Sequence, residues 1–465
     1  MKVTLIFTGI SDYGFNSFGS FGWGSAEIHH GLALIGACAE AKGFDVDLLD
    51  LRRLKGWGHF KSEIIKRKPD VVGITMMSVE YGPVMQCVDI IKEIDPSIKI
   101  VAGGAHPSLA TEDVAKNKNI DFIIAGEGEI SFVDLLTDIE KGVEPRRIIT
   151  GIKPDVETLP FANREMFGYD EIVRFSFVAG LTPPSVSIIA GRGCMYNCSF
   201  CQPAERSIFG GKVRRRSVDN ILKELTLLKE RYHFNSFMIH DDCLIEDVNW
   251  VKEFCEKYSA MGFSWPFYCQ GRADIICRHE DVIAMMAKAG LFVISIGFES
   301  GNQRILNFLR KGSTVAQNLK AAEICKKYKI KIWANYMMGI PTETKEEVMD
   351  TVNMMKKIKP DIYSPAFYTP HPGSDLYEYC VKHDLSLVKD HAAYARNPGQ
   401  PKIKGVDYDF LNRAMEESLE LTKLQKLIRR VGSLKTVRSL FIKMPARSPR
   451  LANFIYKIVR WVYAR

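Results

Sequence analysis

The chain has 465 residues, of which 46% are hydrophobic and 25% charged, ordinary values for a globular protein of two or three domains. No segment is long and apolar enough to span a bilayer. The net charge of +8 belongs to the C-terminus: Leu421 to Arg465 hold 12 Lys and Arg and no Asp or Glu, so the first 420 residues carry −4 (8 less 12).

Strand-like runs at Val3–Phe7, Asp45–Leu49, Val71–Thr75, Ile98–Ala102 and Phe122–Ala125 alternate with helical patterns such as Leu32–Lys42, Tyr81–Ile94 and Ile130–Lys141. The first run is short, and Gly9, Ser11 and Asp12 end it, so the N-terminus does not read as a signal peptide. Repeated βα units imply an α/β unit with a doubly wound parallel sheet. Ligands of such sheets bind beyond the carboxyl ends of the strands. The loops there are Gly-rich: Gly103-Gly104-Ala105-His106-Pro107-Ser108 and Gly126-Glu127-Gly128-Glu129. Neither is a dinucleotide fingerprint, since GxGxxG is absent after the first strand.

Pro154, Pro160 and mixed polarity make Asp155–Phe175 a linker. A strand-like run from Ser185 to Ala190 then leads into Gly-Arg-Gly-Cys-Met-Tyr-Asn-Cys-Ser-Phe-Cys, which places Cys194, Cys198 and Cys201 at CxxxCxxC spacing. Three thiolates so spaced on a tight loop suit three irons of a [4Fe–4S] cluster. A closed cluster site takes four Cys ligands, so three leave one iron open, as a catalytic zinc differs from a structural one by its free position. Gly191 and Gly193 let the backbone turn close to the sulfurs, and Phe200 sets an aromatic ring beside the third. A zinc site is the competing reading, but no CxxC follows at zinc-ribbon spacing. The next Cys, Cys243, lies beyond a predicted helix. A disulfide reading lacks a secretory context. Of the 11 Cys, Cys38, Cys87, Cys255, Cys325 and Cys380 fall in helical patterns and read as buried free thiols. That argues for a reducing cytoplasm.

Ser217 reads as the N-cap of a helix over Val218–Arg231, and a second βα series follows. Its strands are Val186–Ala190, Ser236–Ile239, Phe267–Gln270, Val293–Gly297, Ile332–Met338 and Ile362–Tyr368. Further helices are expected at Val248–Ala260, Glu280–Ala289, Val315–Tyr328 and Lys345–Ile358. Six such strands make a partial (β/α)6 barrel with its active groups at the strand C-termini. Those ends carry His240-Asp241-Asp242, Gln270-Gly271-Arg272-Ala273-Asp274, Gly297-Phe298-Glu299-Ser300-Gly301, Met338-Gly339-Ile340-Pro341-Thr342-Glu343-Thr344 and Tyr368-Thr369-Pro370-His371-Pro372-Gly373. The basic run Lys212, Arg214, Arg215 and Arg216 reads equally as a solvated surface, and no site is assigned to it. Tyr368 reads as core; His371 is open.

Asp409–Arg429 is helical in pattern, followed by two short basic helices, Leu434–Met444 and Leu451–Tyr463, with Trp461 and Tyr463 as interfacial aromatics. This composition suits peripheral contact of residues 434–465 with an anionic membrane. The competing readings are a packed accessory domain with a solvated basic face and, third, nucleic-acid contact. No DNA-binding motif is evident, and no nucleic-acid partner is expected.

The triad loop, following a strand and preceding a helix, resembles that of the radical S-adenosylmethionine (SAM) superfamily. There the three Cys hold the cluster and the open iron chelates SAM, whose reductive cleavage gives a 5′-deoxyadenosyl radical. Val72-Gly73-Ile74-Thr75, the Gly-Gly-Ala-His-Pro-Ser loop, and Gly-Glu-Gly-Glu with Phe132 resemble the cobalamin-binding domain that precedes the radical SAM domain in one large subfamily. The resemblance implies a cobalamin domain over 1–145, a linker over 146–180, a radical SAM domain over 181–400 and a helical C-terminal region with its basic tail over 401–465. It implies cobalamin contacts at Thr75, Ser78, Gly103, Gly104, His106, Ser108, Gly126, Glu127, Gly128 and Glu129. The Asp-x-His-x-x-Gly box that ligates cobalt in many such domains is missing. Glu27-Ile28-His29-His30-Gly31 has the wrong spacing, no axial ligand is assigned, and His29, His30 and His106 read as loop or cap residues. SAM needs carboxylates for its amino and ribose groups and a cation for its carboxylate. Glu299 and Asp242 fit the first need and Arg272 the second, while Phe200 and the Gly339-Ile340-Pro341 turn approach the rest of the molecule. The competing role for such strand-end residues, Asp274 and Glu343 above all, is a helix cap or a structural ion pair.

The resemblance implies a cytoplasmic enzyme that draws electrons from a reductant such as flavodoxin or ferredoxin. Its leading reaction is methylation of an unactivated carbon. Oxidative cyclisation or ring rearrangement is the second reading, because the Tyr-Thr-Pro-His-Pro-Gly-Ser-Asp-Leu-Tyr-Glu segment occurs in relatives resembling anaerobic Mg-protoporphyrin ester cyclases. A non-catalytic cobalamin or redox sensor is the third. The substrate is a small molecule, and the basic tail hints at a lipid or isoprenoid. No residue is assigned as a catalytic acid or base.

Overall fold

The computed structural model describes residues 1–18, 27–174, 178, 180–201, 205–395 and 400–419. Six strands form the first sheet: β1 (Lys2–Phe7), β2 (Asp45–Asp50), β3 (Val71–Thr75), β4 (Lys99–Gly103), β5 (Phe122–Ala125) and β6 (Ile148–Thr150). All pair in parallel in the order β2-β1-β3-β4-β5-β6. The chain reverses direction across the sheet at β1/β3, which opens a crevice at the carboxyl ends. β3 is buried along its whole length, as a strand covered by helices on both faces must be. Two apolar clusters flank the sheet, one holding Leu5, Val101 and Phe132 and the other Ile6, Val72 and Ile100.

β7 (Ser185–Ile188) begins the second unit, and a two-residue antiparallel ribbon, β8 (Gly191–Arg192) with β9 (Arg214–Arg215), brackets the Cys loop. β10 (Ser236–Ile239), β11 (Phe267–Gly271), β12 (Leu291–Glu299), β13 (Lys331–Met338) and β14 (Ile362–Phe367) complete a parallel sheet in chain order from β7 to β14. The helices between them are capped as their sequences dictate. Ser217 accepts from the Asn220 amide, and Thr314 and Thr344 form capping boxes with Gln317 and Glu347. Each such cap contributes about 1 kcal/mol.

Three expectations change. The first sheet runs past residue 145 to Thr150 and gains β6, whose three residues are too few to show a period. A helix at Trp57–Arg67 also joins that unit. The stretch read as a linker is core rather than tether: Phe167, Tyr169 and Ile172 are buried in an apolar cluster that runs from the first sheet into the second. Arg164, also buried, donates to the Ser187 carbonyl at 2.8 Å and pairs with Glu224 at 2.7 Å. The C-terminal helix is described over Tyr408–Ser418. The basic segments at 434–444 and 451–463 lie outside the described residues.

Candidate active site

The Cys loop has a backbone bond of its own, from the Cys201 amide to the Cys198 carbonyl at 3.4 Å, and is held further by its neighbours. Gly193 has φ +92°, and a Cβ there would stand 3.1–3.2 Å from the carbonyl oxygens of Lys212 and Gly210. Only glycine accepts that combination without strain. Farther along, the Ser199 amide donates to the Leu309 carbonyl at 3.0 Å, and the Leu376 amide donates to the Ser199 carbonyl at 2.8 Å. Cys194, Cys198 and Cys201 are half-buried and line a barrel cavity of about 1580 Å³ together with Phe200, Asp242, Arg272 and Glu299. Burial pushes the Cys194 thiol up to about 11 and Cys201 up to about 12, so a bound metal must supply the charge that deprotonates them.

Arg272 lines the cavity, but its guanidinium is already engaged. It donates to Asp274 at 3.0 Å, to the Lys311 carbonyl, and toward Cys198 Sγ at 3.8 Å. It also lies 3.6 Å over the Tyr196 ring. The geometry gives it a positioning task on the Cys loop in place of the free cation expected there. Asp274, in turn, is the structural ion-pair partner. Lys311 is a second cation on the cavity wall: buried, it donates to Glu299 at 2.9 Å. Glu299 itself has φ +60° beside a register shift in β12, a strained backbone of the kind found where a side chain is re-aimed into a site. Sequence reading missed Lys311 because it follows a short helix, Gln303–Phe308, rather than a strand.

The Gly339-Ile340-Pro341 turn does not line the cavity. Gly339 and Ile340 donate from their amides to Glu343 at 2.8 and 3.2 Å. A Cβ on Gly339 would strike Leu411 at 2.7 Å, so the turn packs under the C-terminal helix. Glu343 is a loop-capping residue, pushed up to about 8 by burial. Tyr368 is buried as core, and His371 faces the cavity, where burial lowers it to about 4.

A second recess, of about 1340 Å³, opens between the carboxyl ends of the first sheet and the barrel mouth. Thr75, Gly103, Gly104, Ser108, Gly126, Glu127, Gly128 and Glu129 line one side; Ile189, Arg192, Phe209, His240 and Asp242 line the other. Gly104 has φ +103°, and a Cβ on it would meet Thr75 Oγ1 at 2.8 Å. Ser108 ties the two Gly loops together: its hydroxyl donates to the Gly104 carbonyl at 2.7 Å and accepts from the Gly126 amide at 2.8 Å. Ser78 and His106 do not line the recess. His106 turns away into a buried contact with Ser78 at 3.0 Å. His29 caps the helix over His30–Ala41, accepting from the Leu32 amide at 3.1 Å, as read.

Glu127 and Glu129 are also the clamp between the two units. Arg192 donates to Glu127 at 2.7 Å and to Glu129 at 2.5 Å, and Arg214 pairs with the other Glu127 oxygen. Arg215 pairs with Asp241 at 2.7 Å and Arg216 with Glu224 at 2.6 Å. The three arginines of the basic run are thus internal ties and not a solvated face, while Lys212 is exposed. The run's alternation gave no sign of this, because the partners lie up to 87 residues away.

The two cavities meet at Glu205 and Asp242, which line both. Burial and the neighbouring Asp242 push the Glu205 carboxyl well above its usual range, and burial raises Asp242 as well, the direction expected where adjacent buried carboxylates resist ionising together.

Residues 188–355 match the family model of the radical SAM superfamily, and residues 25–136 match that of the B12 binding domain. An uncharacterised methyltransferase of Pyrococcus horikoshii is 26% identical over 374 residues, covering 77% of this chain and 79% of its own length. The anaerobic magnesium-protoporphyrin IX monomethyl ester cyclase of Rubrivivax gelatinosus is 28% identical over 335 residues, or 68% of this chain; the chain spans 60% of that cyclase. Among solved structures, the cobalamin-dependent SAM radical enzyme OxsB, with aqua-cobalamin and SAM bound, superposes with a TM-score of 0.72 at 16% identity. The match covers 99% of this chain and 71% of that one, and it shows a shared fold. With a family model matched on each of its two sheets, the chain carries a radical SAM superfamily domain in its barrel and a B12 binding domain ahead of it.

Proposed function

We propose that this radical SAM enzyme methylates a carbon of a small-molecule substrate held in the barrel cavity. In this reading Cys194, Cys198 and Cys201 hold a [4Fe–4S] cluster. SAM lies against Phe200, Glu299, Lys311 and Asp242, and cobalamin fills the recess against Thr75, the two Gly loops, Glu127 and Glu129. When bound, the cluster and SAM supply a hydrogen-abstracting carbon radical and cobalamin supplies the methyl group. The residues of the chain orient and enclose. Lys311 and Glu299 present a paired cation and anion for the two charged ends of an amino acid. Tyr268 and Trp333 wall the cavity with aromatic rings, which exclude water from a reactive intermediate. Glu205 and Asp242 hold a proton where the two cavities meet.

The observation that carries the reading is that shared wall: two roomy cavities, one lined by the three thiols and one by the Gly loops, meet at the same two carboxyl groups. The similarity to a methyltransferase supports methylation, and the similarity to the cyclase keeps oxidative cyclisation as the second reading. Anaerobic reconstitution with iron, sulfide, cobalamin, SAM and a flavodoxin or ferredoxin reductant tests it. S-adenosylhomocysteine formed in step with 5′-deoxyadenosine is the expected result. 5′-Deoxyadenosine alone with substrate turnover overturns methylation in favour of cyclisation, and no cleavage of SAM overturns both. The proposal extends to a lipid or isoprenoid substrate met at a membrane by residues 434–465. Among the described residues no helix is long and apolar enough to cross a membrane, and the contact proposed for residues 434–465 is peripheral. Liposome flotation with and without residues 434–465 checks this, and equal recovery of both at the bottom sinks it.

A further inference from the structure

Away from both cavities, His106, Asp113 and His391 bring three ligand atoms within 4.8 Å of one another. Two come from consecutive short helices after β4, Ala105–Leu109 and Thr111–Ala115, and the third from a helical turn at His391–Tyr394, far along the chain and beyond the barrel. His391 Nε2 lies 2.9 Å and His106 Nε2 3.5 Å from the same Asp113 oxygen. We infer that these residues form a binding site for a divalent first-row transition-metal ion, zinc fitting best, which latches the segment after the barrel onto the B12 binding domain.

Four observations carry this. The donor set, two imidazoles and one carboxylate, is one that zinc accepts in sites with an open fourth position. Zinc–ligand bonds of 2.0–2.1 Å in a tetrahedron set neighbouring donors about 3.3 Å apart, and the two spacings here bracket that value. His106 is 1% exposed, yet its Nε2 atom has no hydrogen-bond partner. At 3.5 Å it is too far from Asp113 for a good hydrogen bond, so a plain polar network leaves a buried nitrogen unsatisfied. Finally, the outer contacts orient the rings as metal sites require. Ser78 Oγ lies 3.0 Å from His106 Nδ1; when it accepts from that nitrogen, the Nε2 lone pair faces Asp113. Tyr81 stacks on His391 with ring centroids 3.8 Å apart. Lys116 takes the remaining Asp113 oxygen at 2.9 Å. The side chains of Asp113 and His391 are 29% and 30% exposed, which admits an ion and a water ligand.

The position gives the ion a task. Three residues after His391, Tyr394 lines the barrel cavity, where its ring lies 4.9 Å from that of His371. Fixing His391 to the first unit fixes Tyr394 over the substrate space.

Because thiols also bind zinc, the test uses the full-length protein with Cys194, Cys198 and Cys201 all changed to Ser. Zinc chloride titration followed by desalting and metal analysis is expected to leave one zinc per chain, falling at least tenfold on adding His391→Ala or Asp113→Asn. Unchanged zinc content in those variants, or none in the parent, overturns the inference. A second measurement uses the cluster-loaded, unsubstituted protein, so that a folding defect cannot mislead: X-ray absorption at the zinc edge should show nitrogen and oxygen at 2.0–2.1 Å. A sulfur shell near 2.3 Å overturns it.

Discussion

Replacing Glu127 by Ala tests the clamp between the two units most directly. The Glu127 side chain is 1% exposed and receives Arg192 at 2.7 Å and Arg214 on its other oxygen. Removing one partner of a buried pair leaves uncompensated charge and costs about 3–5 kcal/mol. Arg192 keeps Glu129 at 2.5 Å, so the lower end, about 3 kcal/mol, is expected. Arg214, with a side chain 21% exposed, loses its carboxylate outright. Urea unfolding of the apo-protein, followed by far-UV circular dichroism, measures the loss. A double-mutant cycle with Arg214→Ala separates the pair from the shape of the recess. The double variant should be less destabilised than the sum of the singles, with a coupling above 1 kcal/mol. Loss of less than about 0.5 kcal/mol for Glu127→Ala, or strict additivity, would refute the clamp and return Glu127 to a purely ligand-facing role.

Gly104→Ala should weaken hydroxocobalamin binding, followed by its visible spectrum, and lower stability by about 1–3 kcal/mol. The reason is its φ of +103° and the 2.8 Å approach to Thr75 Oγ1; an unchanged affinity would show that the Gly loop is not the cradle. Burial holds His29 down at about 4. Its folded pKa lies below its unfolded value near 6.5, so its neutral form leaves stability intact above that value. Stability then falls as pH drops from about 6.5 toward 4, by up to about 1.4 kcal/mol per pH unit. His29→Asn, which keeps a capping oxygen, should flatten that slope in urea unfolding at stepped pH. Lys311→Met strands the buried Glu299 and should cost about 3–5 kcal/mol, while Lys311→Met with Glu299→Gln recovers most of it in the same assay.

Much of the site was legible because it is local. The Cys194, Cys198 and Cys201 spacing, the Gly-rich strand ends and the capping residue Ser217 act within a turn or two of chain, and period-2 and period-3.6 patterns located the long helices and most of the strands. What was misread depends on partners far along the chain. Arg272 looked free because Lys311 and Cys198 are 39 and 74 residues away. Gly339–Pro341 looked like a ligand loop because nothing local shows that Leu411 fills the space above it. His106 and Ser78 shared a loop motif with true recess residues, but side-chain direction separates neighbours that sequence order joins.

By itself the sequence determined the chemistry on offer: three thiols on one tight loop, glycines where backbone must approach a ligand, and strands that end in charge. Only the tertiary structure decided how those groups are used. It set two carboxyl groups, Glu205 and Asp242, at the meeting of two cavities, turned the arginines of the basic run into internal ties, and carried His391 back onto His106 and Asp113. The physical reason is that a buried charge takes its role from whatever is packed beside it, and neighbours in space are chosen by the fold as a whole.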